Sequence, residues 1–414
     1  MIAFNVASCN DDTQQRAIGV TQIDAWFHTG QEGERRTIID QVARFNKIDP
    51  AVQVRLTMIP ESSYNSQVQA AAIAGDLPDI LEFDGPYLYN YVWQGHLQPL
   101  DDLLSSELRA DLLPSIIKQG SYRGHLYAIG SFDSGLGLYA RRSRLQQAGV
   151  RIPAGPADAW TTQEFKTVLQ TLAKKDDDGA VLDLKLNYTG EWFTYAFSPL
   201  LNSAGGDLID RKDFLTSSGV LNGSASVAAM KQLRSWIQSG YVDPNVDDGA
   251  FTSGRVALSW VGHWEYPRYA KAAGDDLIVL PLPNFGQGSR TGQGSWVWGM
   301  TARGEHAAAA SFLKFLLQTD EVLAMAGVNG AVPATRSAIA RSKLYRTDGP
   351  LHLFVEQLTG GYAVTRPQTP AYPVITSAFQ AAFMDIRNNG DVQAALDKAA
   401  AVINQDIADN KGYR

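Results

Sequence analysis

The chain has 414 residues, of which 45% are hydrophobic and 19% charged, with a formal net charge of −7 at pH 7. This composition is that of a globular protein, and the length exceeds the size at which one hydrophobic core stops growing, so two domains are expected. The negative charge argues against a nucleic-acid groove, which needs clustered lysine and arginine, and no apolar run reaches the roughly 18 residues of a membrane span.

The only cysteine, Cys9, lies in the segment Val6-Ala7-Ser8-Cys9, which is similar to the lipobox of bacterial lipoproteins. Two interpretations stay open: a lipidated cysteine that begins the mature chain, or an unmodified thiol in a leader. The stretch before Cys9 is shorter than a signal peptide with a charged and an apolar region, while the polar residues after it are typical of a solvated tether. The sequence therefore indicates export, with residues 1–18 as a leader or tether.

Strand and helix patterns alternate from residue 19 to residue 84. Such alternation predicts a mostly parallel sheet with helices on both faces, and ligands of these sheets bind beyond the carboxyl ends of the strands. Two further residues follow strand ends and are added as candidates: Glu32, in the loop region after the first strand, and Tyr87, directly after the third. The resulting candidate ligand-binding residues are Trp26, His28, Glu32, Glu61, Asp84 and Tyr87.

The stretch from Tyr127 to Arg144 predicts a buried strand, a glycine-rich polar corner and a second apolar strand. Its glycines let the backbone turn where a side chain would restrict it. Phe132 and Asp133 lie between these glycines and place an aromatic face beside a carboxylate. We expect the chain to pass here from one lobe to another, with a small molecule held between the lobes.

Two later motifs are structural in this interpretation. Thr161 and Glu164 form a capping box at a helix start, and Trp160 packs on Phe165. The run from Asp176 to Gly179 is a turn and not a calcium loop, because lysines would occupy the first and last liganding positions.

Six tryptophans lie at strand ends or in glycine-rich loops: Trp26, Trp192, Trp260, Trp264, Trp296 and Trp298. A single tryptophan is usually a core residue. Six tryptophans at strand ends and in loops are less easily explained in this way, because such positions rarely contribute to a hydrophobic core. Aromatic faces interleaved with carboxylates and Arg366 suit a sugar, whose C–H faces stack and whose hydroxyls hydrogen-bond. Hydrogen bonds to charged side chains contribute roughly 1.5–3 kcal/mol each, so a few of them with two stacked rings predict about micromolar affinity.

The same residues leave two other functions open. A glycosidase would use two carboxylates roughly 5–9 Å apart, here Asp84 with Asp133 or Glu32, and a receptor could instead bind a non-sugar polyol or osmolyte. The chain lacks the zinc-protease, Walker and nucleophile-elbow motifs, and its histidines show no metal-ligand spacing. We therefore expect no catalytic residue, metal or cofactor.

On a series of short motifs the chain resembles the bacterial extracellular solute-binding proteins of ABC importers, the family that serves oligosaccharides and includes the maltose-binding protein. The resemblance covers nearly everything from Thr21 to the C-terminus. Its carriers are Ala74-Gly75-Asp76-Leu77-Pro78-Asp79-Ile80, Gly137-Leu138-Tyr139, Gln147-Ala148-Gly149, Asn202-Ser203-Ala204-Gly205-Gly206, Phe251 to Leu258, Arg366-Pro367 and Pro370-Ala371-Tyr372.

The resemblance implies an α/β fold of two lobes, each a mostly parallel sheet flanked by helices, joined by three hinge crossings near residues 130–134, 296–300 and 330–333. One lobe would comprise residues 19–131 plus 299–331, the other residues 132–298 plus 332–414. The sugar contacts that it implies are Asp84, Asp133, Trp260 or Trp264, Trp296 or Trp298, Arg366 and the loop from Trp26 to Glu32.

The expected protein is a non-catalytic and monomeric receptor, periplasmic or extracytoplasmic, with Cys9 as its lipidation candidate. It would capture a small oligosaccharide such as an α-linked gluco-disaccharide and deliver it to the membrane permease of an ABC importer. Ligand held by one lobe would favour closure, because only closure supplies the contacts of the second lobe.

Overall fold

The computed structural model describes residues 19–414, so residues 1–18 and the lipidation candidate Cys9 lie outside the described residues. Its strands, in chain order, are β1 (Thr21–His28), β2 (Val52–Ile59), β3 (Ile80–Asp84), β4 (Ser121–Tyr122), β5 (His125–Leu126), β6 (Ala128–Ile129), β7 (Phe132–Asp133), β8 (Leu136–Arg141), β9 (Leu182–Asp183), β10 (Leu258–Gly262), β11 (Leu277–Leu280), β12 (Thr291–Gln293), β13 (Trp296–Met300), β14 (Val332–Pro333) and β15 (Ala363–Thr365).

The α-helices flank these strands and fill the segments between them. They are α1 (Glu32–Ile48), α2 (Glu61–Ala74), α3 (Leu88–Trp93), α4 (Ser106–Asp111), α5 (Pro114–Gln119), α6 (Arg142–Gln147), α7 (Thr162–Ala173), α8 (Glu191–Ala204), α9 (Ser224–Gln238), α10 (Tyr266–Ala273), α11 (His306–Leu316), α12 (Thr319–Asn329), α13 (Arg336–Arg341), α14 (His352–Thr359), α15 (Tyr372–Arg387) and α16 (Val392–Asp409). None of the helices in residues 19–414 is both long enough and apolar enough to cross a membrane.

The first sheet has five strands in the order β2-β1-β3-β13-β6. Strand β1 runs parallel to β2 and β3, whereas β13 runs antiparallel to β3 and β6. The carboxyl ends of β1 and β3 therefore share one edge with the start of β13, where Trp296 lies opposite Asp84. Fully buried side chains such as Ile23 and Ile80 anchor this sheet in the core, so its edge is a fixed platform for His28, Asp84 and Trp296.

The second sheet has four strands in the order β11-β8-β10-β9. Strand β8 runs antiparallel to β10 and β11, and only β9 and β10 are parallel. The expectation of a mostly parallel sheet is therefore corrected for this half: β8 enters the sheet at the edge facing the first sheet, while its neighbours enter from the far edge. Consequently Gly262, at the end of β10, lies opposite Leu136, at the start of β8.

Three crossings within residues 19–414 join the sheets. The first contains β7 and the third contains β14, and these two strands pair with each other through Asp133 and Val332. The second passes through β12, which pairs with β15, and reaches the first sheet through Gly294 and Ser295. The predicted crossing at residues 296–300 is thus corrected to an earlier position, because residues 296–300 are already strand β13.

The two structural motifs fold locally as the sequence indicates. The Thr161 hydroxyl accepts a hydrogen bond from the Glu164 backbone N–H at 3.2 Å, and the Glu164 carboxylate accepts one from the Thr161 N–H at 2.9 Å. Trp160 is buried and stacks on Phe165, so the predicted capping box and its tryptophan are confirmed. Asp176 and Asp178 accept backbone hydrogen bonds within their own turn.

Candidate functional site

Arg366 lies between carboxylates from opposite halves of the molecule. Its two terminal nitrogens donate to both oxygens of Asp84, each at 2.6 Å, and Nη1 also donates to Glu191 Oε2 at 3.0 Å. Asp84 ends β3 of the first sheet, whereas Glu191 begins α8, which packs against α9 and α15. Burial alone would lower the pKa of Arg366, but the charges of Asp84 and Glu191 hold that pKa above its ordinary value. Arg366 therefore stays charged and links the two halves.

Three tyrosines surround this charged cluster. Tyr372 donates its hydroxyl to Glu191 Oε2 at 2.5 Å, and Tyr87 donates to Glu191 Oε1 at 3.2 Å. The guanidinium of Arg366 lies 5.1 Å from the ring centroid of Tyr195, within cation–π range. Burial, and to a smaller extent the charge of Asp84, raises the pKa of Glu191 against the opposing effects of Arg366 and Tyr372.

The sequence interpretation missed Glu191, although it included Tyr87 and the neighbouring Trp192. The available signal was a carboxylate at a glycine-preceded helix start that is rich in aromatic residues. Asp84 and Arg366 were both predicted as ligand contacts. The structure brings them together, but their charged groups bind each other.

A second cluster at the same edge of the first sheet is built around Glu82. Its Oε2 accepts hydrogen bonds from the backbone N–H of His28 at 2.9 Å and from His28 Nδ1 at 2.6 Å, and its Oε1 accepts one from Trp298 Nε1 at 3.1 Å. The imidazole of His28 stacks on the indole of Trp296, with ring centroids 3.9 Å apart and an angle of 7° between the planes. Burial alone would lower the pKa of His28, but the charge and hydrogen bond of Glu82 raise it to about 9.

Aromatic side chains of the second half form a cluster of their own. The indoles of Trp264 and Trp192 meet edge to face at 5.9 Å, and Tyr195 lies 6.1 Å from Trp264. Trp264 is half-buried, whereas Trp192 is buried and donates its indole N–H to the Leu184 carbonyl at 3.2 Å. Gln31, in the loop after β1, donates to the Trp264 carbonyl at 3.4 Å, so the two halves touch at this point.

Asp133 belongs to the crossings and not to an open surface. It is fully buried, and its Oδ1 accepts from the backbone N–H groups of Ser134 at 2.8 Å and Gly294 at 3.2 Å. Burial raises the pKa of its carboxyl against these hydrogen bonds. Phe132 is also buried, with its ring 6.4 Å from His263. Both predicted residues therefore tie the first crossing to its surroundings.

Three predicted ligand contacts are corrected by their positions. Trp260 is fully buried, because every residue of β10 is covered on both faces. Trp298 is 3% exposed, with its N–H bound to Glu82. Glu32 lies on the exposed side of α1 and pairs with Arg36 one turn later. Of each alternative pair of tryptophans, only Trp264 and Trp296 remain partly exposed.

The remaining predicted residues lie at the rim of the platform. Glu61 is exposed at the start of α2. Trp26 is half-buried, packs on the core under that rim, and accepts a hydrogen bond on its carbonyl from Tyr64 at 3.1 Å. The structure therefore gathers Asp84, Arg366 and Tyr87 in one cluster, and His28 and Trp296 in the adjoining one.

Comparison with known sequences identifies a protein family and two relatives. Residues 40–350 match the family model described as bacterial extracellular solute-binding protein. A lipoprotein of Streptomyces antibioticus encoded in the oleD 5′ region, named as uncharacterized, is 23% identical over 387 residues, which cover 87% of this chain and 82% of that protein. The maltotriose-binding protein of Pyrococcus abyssi is 21% identical over 402 residues, with coverage of 93% and 82%.

Solved structures give the same architecture. The GacH receptor of Streptomyces glaucescens superposes with a TM-score of 0.77 at 23% identity, covering 95% of this chain and 98% of that one. UgpB from Mycobacterium tuberculosis, in complex with glycerophosphocholine, gives a TM-score of 0.78 at 20% identity, with coverage of 95% and 100%. At this level of identity the likeness shows the fold, and it confirms the expected two-lobed α/β class.

Proposed function

Because the chain belongs to the family of bacterial extracellular solute-binding proteins, we propose that it is the substrate-binding component of an ABC importer. It captures a small oligosaccharide between its lobes and delivers it unaltered to a membrane permease. The observation that carries this proposal is the convergence of Asp84 and Glu191, from opposite halves, on Arg366. Charged hydrogen-bonding groups beside aromatic faces suit a ligand with hydroxyl groups and apolar ring faces.

The ligand that we propose is an α-linked gluco-disaccharide or a short maltodextrin-like sugar. The Pyrococcus abyssi relative, whose name states that it binds maltotriose, supports this choice. Trp296 of the first lobe and Trp264 of the second supply partly exposed aromatic faces for the sugar rings. Ligand bound to one lobe gains contacts with the other only on closure, so binding favours the closed state.

We propose that the protein has no glycosidase activity. The carboxylates considered for acid and base do not form a pair: Asp133 is fully buried among backbone N–H groups, and Glu32 pairs with Arg36 on the outside of α1. Asp84 is held at both oxygens by Arg366. A general acid and a general base need access to the bond that is cleaved, and these positions do not give it.

A receptor for a non-sugar solute is the second candidate. The likeness to UgpB, solved with glycerophosphocholine, favours it, because that structure has the same fold and a comparable TM-score. Both candidates share the binding-and-release mechanism and differ in the ligand alone.

The lobes that we propose consist of residues 19–131 plus 296–331 and residues 132–293 plus 332–414. Residues 294–295 form the crossing between them, because β13 pairs in the first sheet. We place the protein outside the cytoplasmic membrane, as a monomer that does not bind nucleic acid. The likeness to a Streptomyces lipoprotein supports Cys9 as its lipidation site.

Titration calorimetry with a ligand panel tests the proposed function. The panel contains maltose, maltotriose, trehalose, cellobiose and glycerophosphocholine, and each mixture is then analysed by chromatography. We expect saturable binding of at least one α-linked sugar, with no product formed. Product formation would establish an enzyme, binding of glycerophosphocholine alone would establish the second candidate, and an absence of binding throughout the panel would contradict both receptor proposals.

A further inference from the structure

His28 is fixed on two sides by groups from different strands of the first sheet. Glu82, on β3, accepts hydrogen bonds from its backbone and its ring, while one ring face lies flat on Trp296 of β13. Tyr64, on α2, packs edge to face against the same indole at 5.4 Å. Two contacts therefore fix the plane of the Trp296 ring: the stacked imidazole of His28 and the edge-to-face ring of Tyr64.

We propose that Glu82 and His28 form a positioning pair for Trp296: Glu82 fixes the plane of the imidazole, and the imidazole fixes the indole against which the ligand stacks. Neither residue of the pair needs to touch the ligand. The inference rests on the proposed function. It assigns a role to Glu82, a residue that the proposed ligand contacts do not include.

Glu82 is an unusual choice for its place in the sequence. It lies in the otherwise apolar start of β3, Ile80–Leu81–Glu82–Phe83, and is only 4% exposed. A buried carboxylate costs stability unless donors satisfy it, and an apolar side chain of similar volume avoids that cost. Here three donors, two on His28 and one on Trp298, point at its two oxygens. Both oxygens of this carboxylate are therefore used to hold the imidazole of His28 and the indole of Trp298.

Charge strengthens the stack. The carboxylates that act on His28 come from three elements: Glu82 on β3, Glu34 on α1 and Glu61 on α2. Against the lowering effect of burial they raise the pKa of His28 to about 9, so the ring is an imidazolium below that pH. A cation on an indole face is attracted by the ring quadrupole. The attraction is present at neutral pH and is lost as the pH rises through about 9.

Tryptophan fluorescence of the ligand-free protein measures this arrangement directly, because a stacked imidazolium quenches indole emission more than a neutral imidazole does. The signal of Trp296 is taken as the difference between the wild type and Trp296→Phe, from pH 6 to 10. We expect this signal to rise with a midpoint near pH 9 in the wild type. Glu82→Gln should move the midpoint to lower pH by at least about one unit, and His28→Gln should abolish the transition.

Glu107→Gln, an exposed carboxylate on α4 that does not act on His28, is the matched control and should leave the midpoint unchanged. An unchanged midpoint in Glu82→Gln would show that Glu82 does not act on the ring of His28, and that result would overturn the inference. A signal from Trp296 that is flat with pH in the wild type would overturn it as well. His28→Gln covers the case in which Glu82→Gln does not fold.

Ligand affinity separates this inference from the proposed function. If both hold, Glu82→Gln and His28→Gln weaken sugar binding about tenfold at pH 7, and wild-type affinity falls above pH 9. A shifted midpoint without binding of any panel sugar would leave the positioning pair in place and contradict the sugar receptor. Tight sugar binding with unchanged affinity in both variants would contradict the positioning pair alone.

Discussion

Replacing Glu191 with glutamine removes one negative charge from the Arg366 cluster and keeps the size of the side chain. The carboxylate accepts hydrogen bonds from Arg366, Tyr372 and Tyr87. Each hydrogen bond to a charged group contributes roughly 1.5–3 kcal/mol and each neutral one roughly 0.5–1.5 kcal/mol, so the three bonds together lose about 3 kcal/mol. Relief of the buried charge, which raises the pKa of Glu191, offsets part of this loss.

We therefore expect Glu191→Gln to lower the free energy of unfolding by about 1–2 kcal/mol, a net of these opposing effects. Sugar affinity should fall about tenfold, equivalent to about 1.4 kcal/mol, because Tyr87 and Glu191 come from opposite halves and their hydrogen bond holds the halves together beside the proposed site. Denaturant unfolding measures the first quantity and titration calorimetry the second.

Two further variants make this prediction specific. Tyr87→Phe removes one hydrogen bond between the halves, the one to Glu191, so affinity should fall about fivefold, for roughly 1 kcal/mol, while the stability of each lobe is unchanged. Glu107→Gln, an exposed carboxylate outside the cluster, should alter neither quantity. Wild-type affinity and stability in Glu191→Gln would refute the reasoning, since the cluster would then contribute nothing to closure.

Three other outcomes follow from the placement of aromatic and titratable side chains. Trp264→Ala and Trp296→Ala should each weaken sugar binding at least tenfold, about 1.4 kcal/mol, in calorimetry; unchanged affinity in both would remove the stacking argument. Trp260→Ala should lower the free energy of unfolding by about 3–5 kcal/mol in denaturant titration, because its ring is fully buried, and a loss below 1 kcal/mol would contradict that position. Burial lowers the pKa of His263 to about 4, so the wild type should lose up to about 3 kcal/mol as the pH falls from 6.5 to 4, a slope that His263→Gln should lack in unfolding measured at each pH.

The sequence was sufficient for the fold class and for local signals such as the capping box of Thr161 and Glu164. It also selected Asp84, Tyr87 and Arg366, because strand ends and short motifs are visible in a linear chain. It could not show that Asp84 and Arg366 bind each other, since they are 282 positions apart. Their pairing depends on how the fold brings the segment after β15 to the end of β3.

The misplaced tryptophans have a physical explanation. Trp260 was predicted at the end of a strand and so beside the cleft, but β10 continues to Gly262 and all its residues are buried. The packing over a strand is not encoded in that strand alone. Glu82 was missed for the opposite reason, because a single acidic residue in an apolar strand carries no mark of the histidine and tryptophan that it binds. Trp298 was assigned to the cleft; it lies on the same face of β13 as Trp296, but two residues further into the sheet, where it is buried, whereas Trp296 lies at the edge.

The bonds among the three crossings constrain how the molecule can move. Strand β7 of the first crossing pairs with β14 of the third, and Asp133 of the first also accepts a hydrogen bond from Gly294 of the second. Because the three crossings are bonded to one another, we expect the halves to move relative to each other mainly by rotation about the crossings. Under the proposed function, bound ligand would then change one interlobe angle, and we expect a membrane permease that contacts both halves to recognise the ligand-bound protein by that angle.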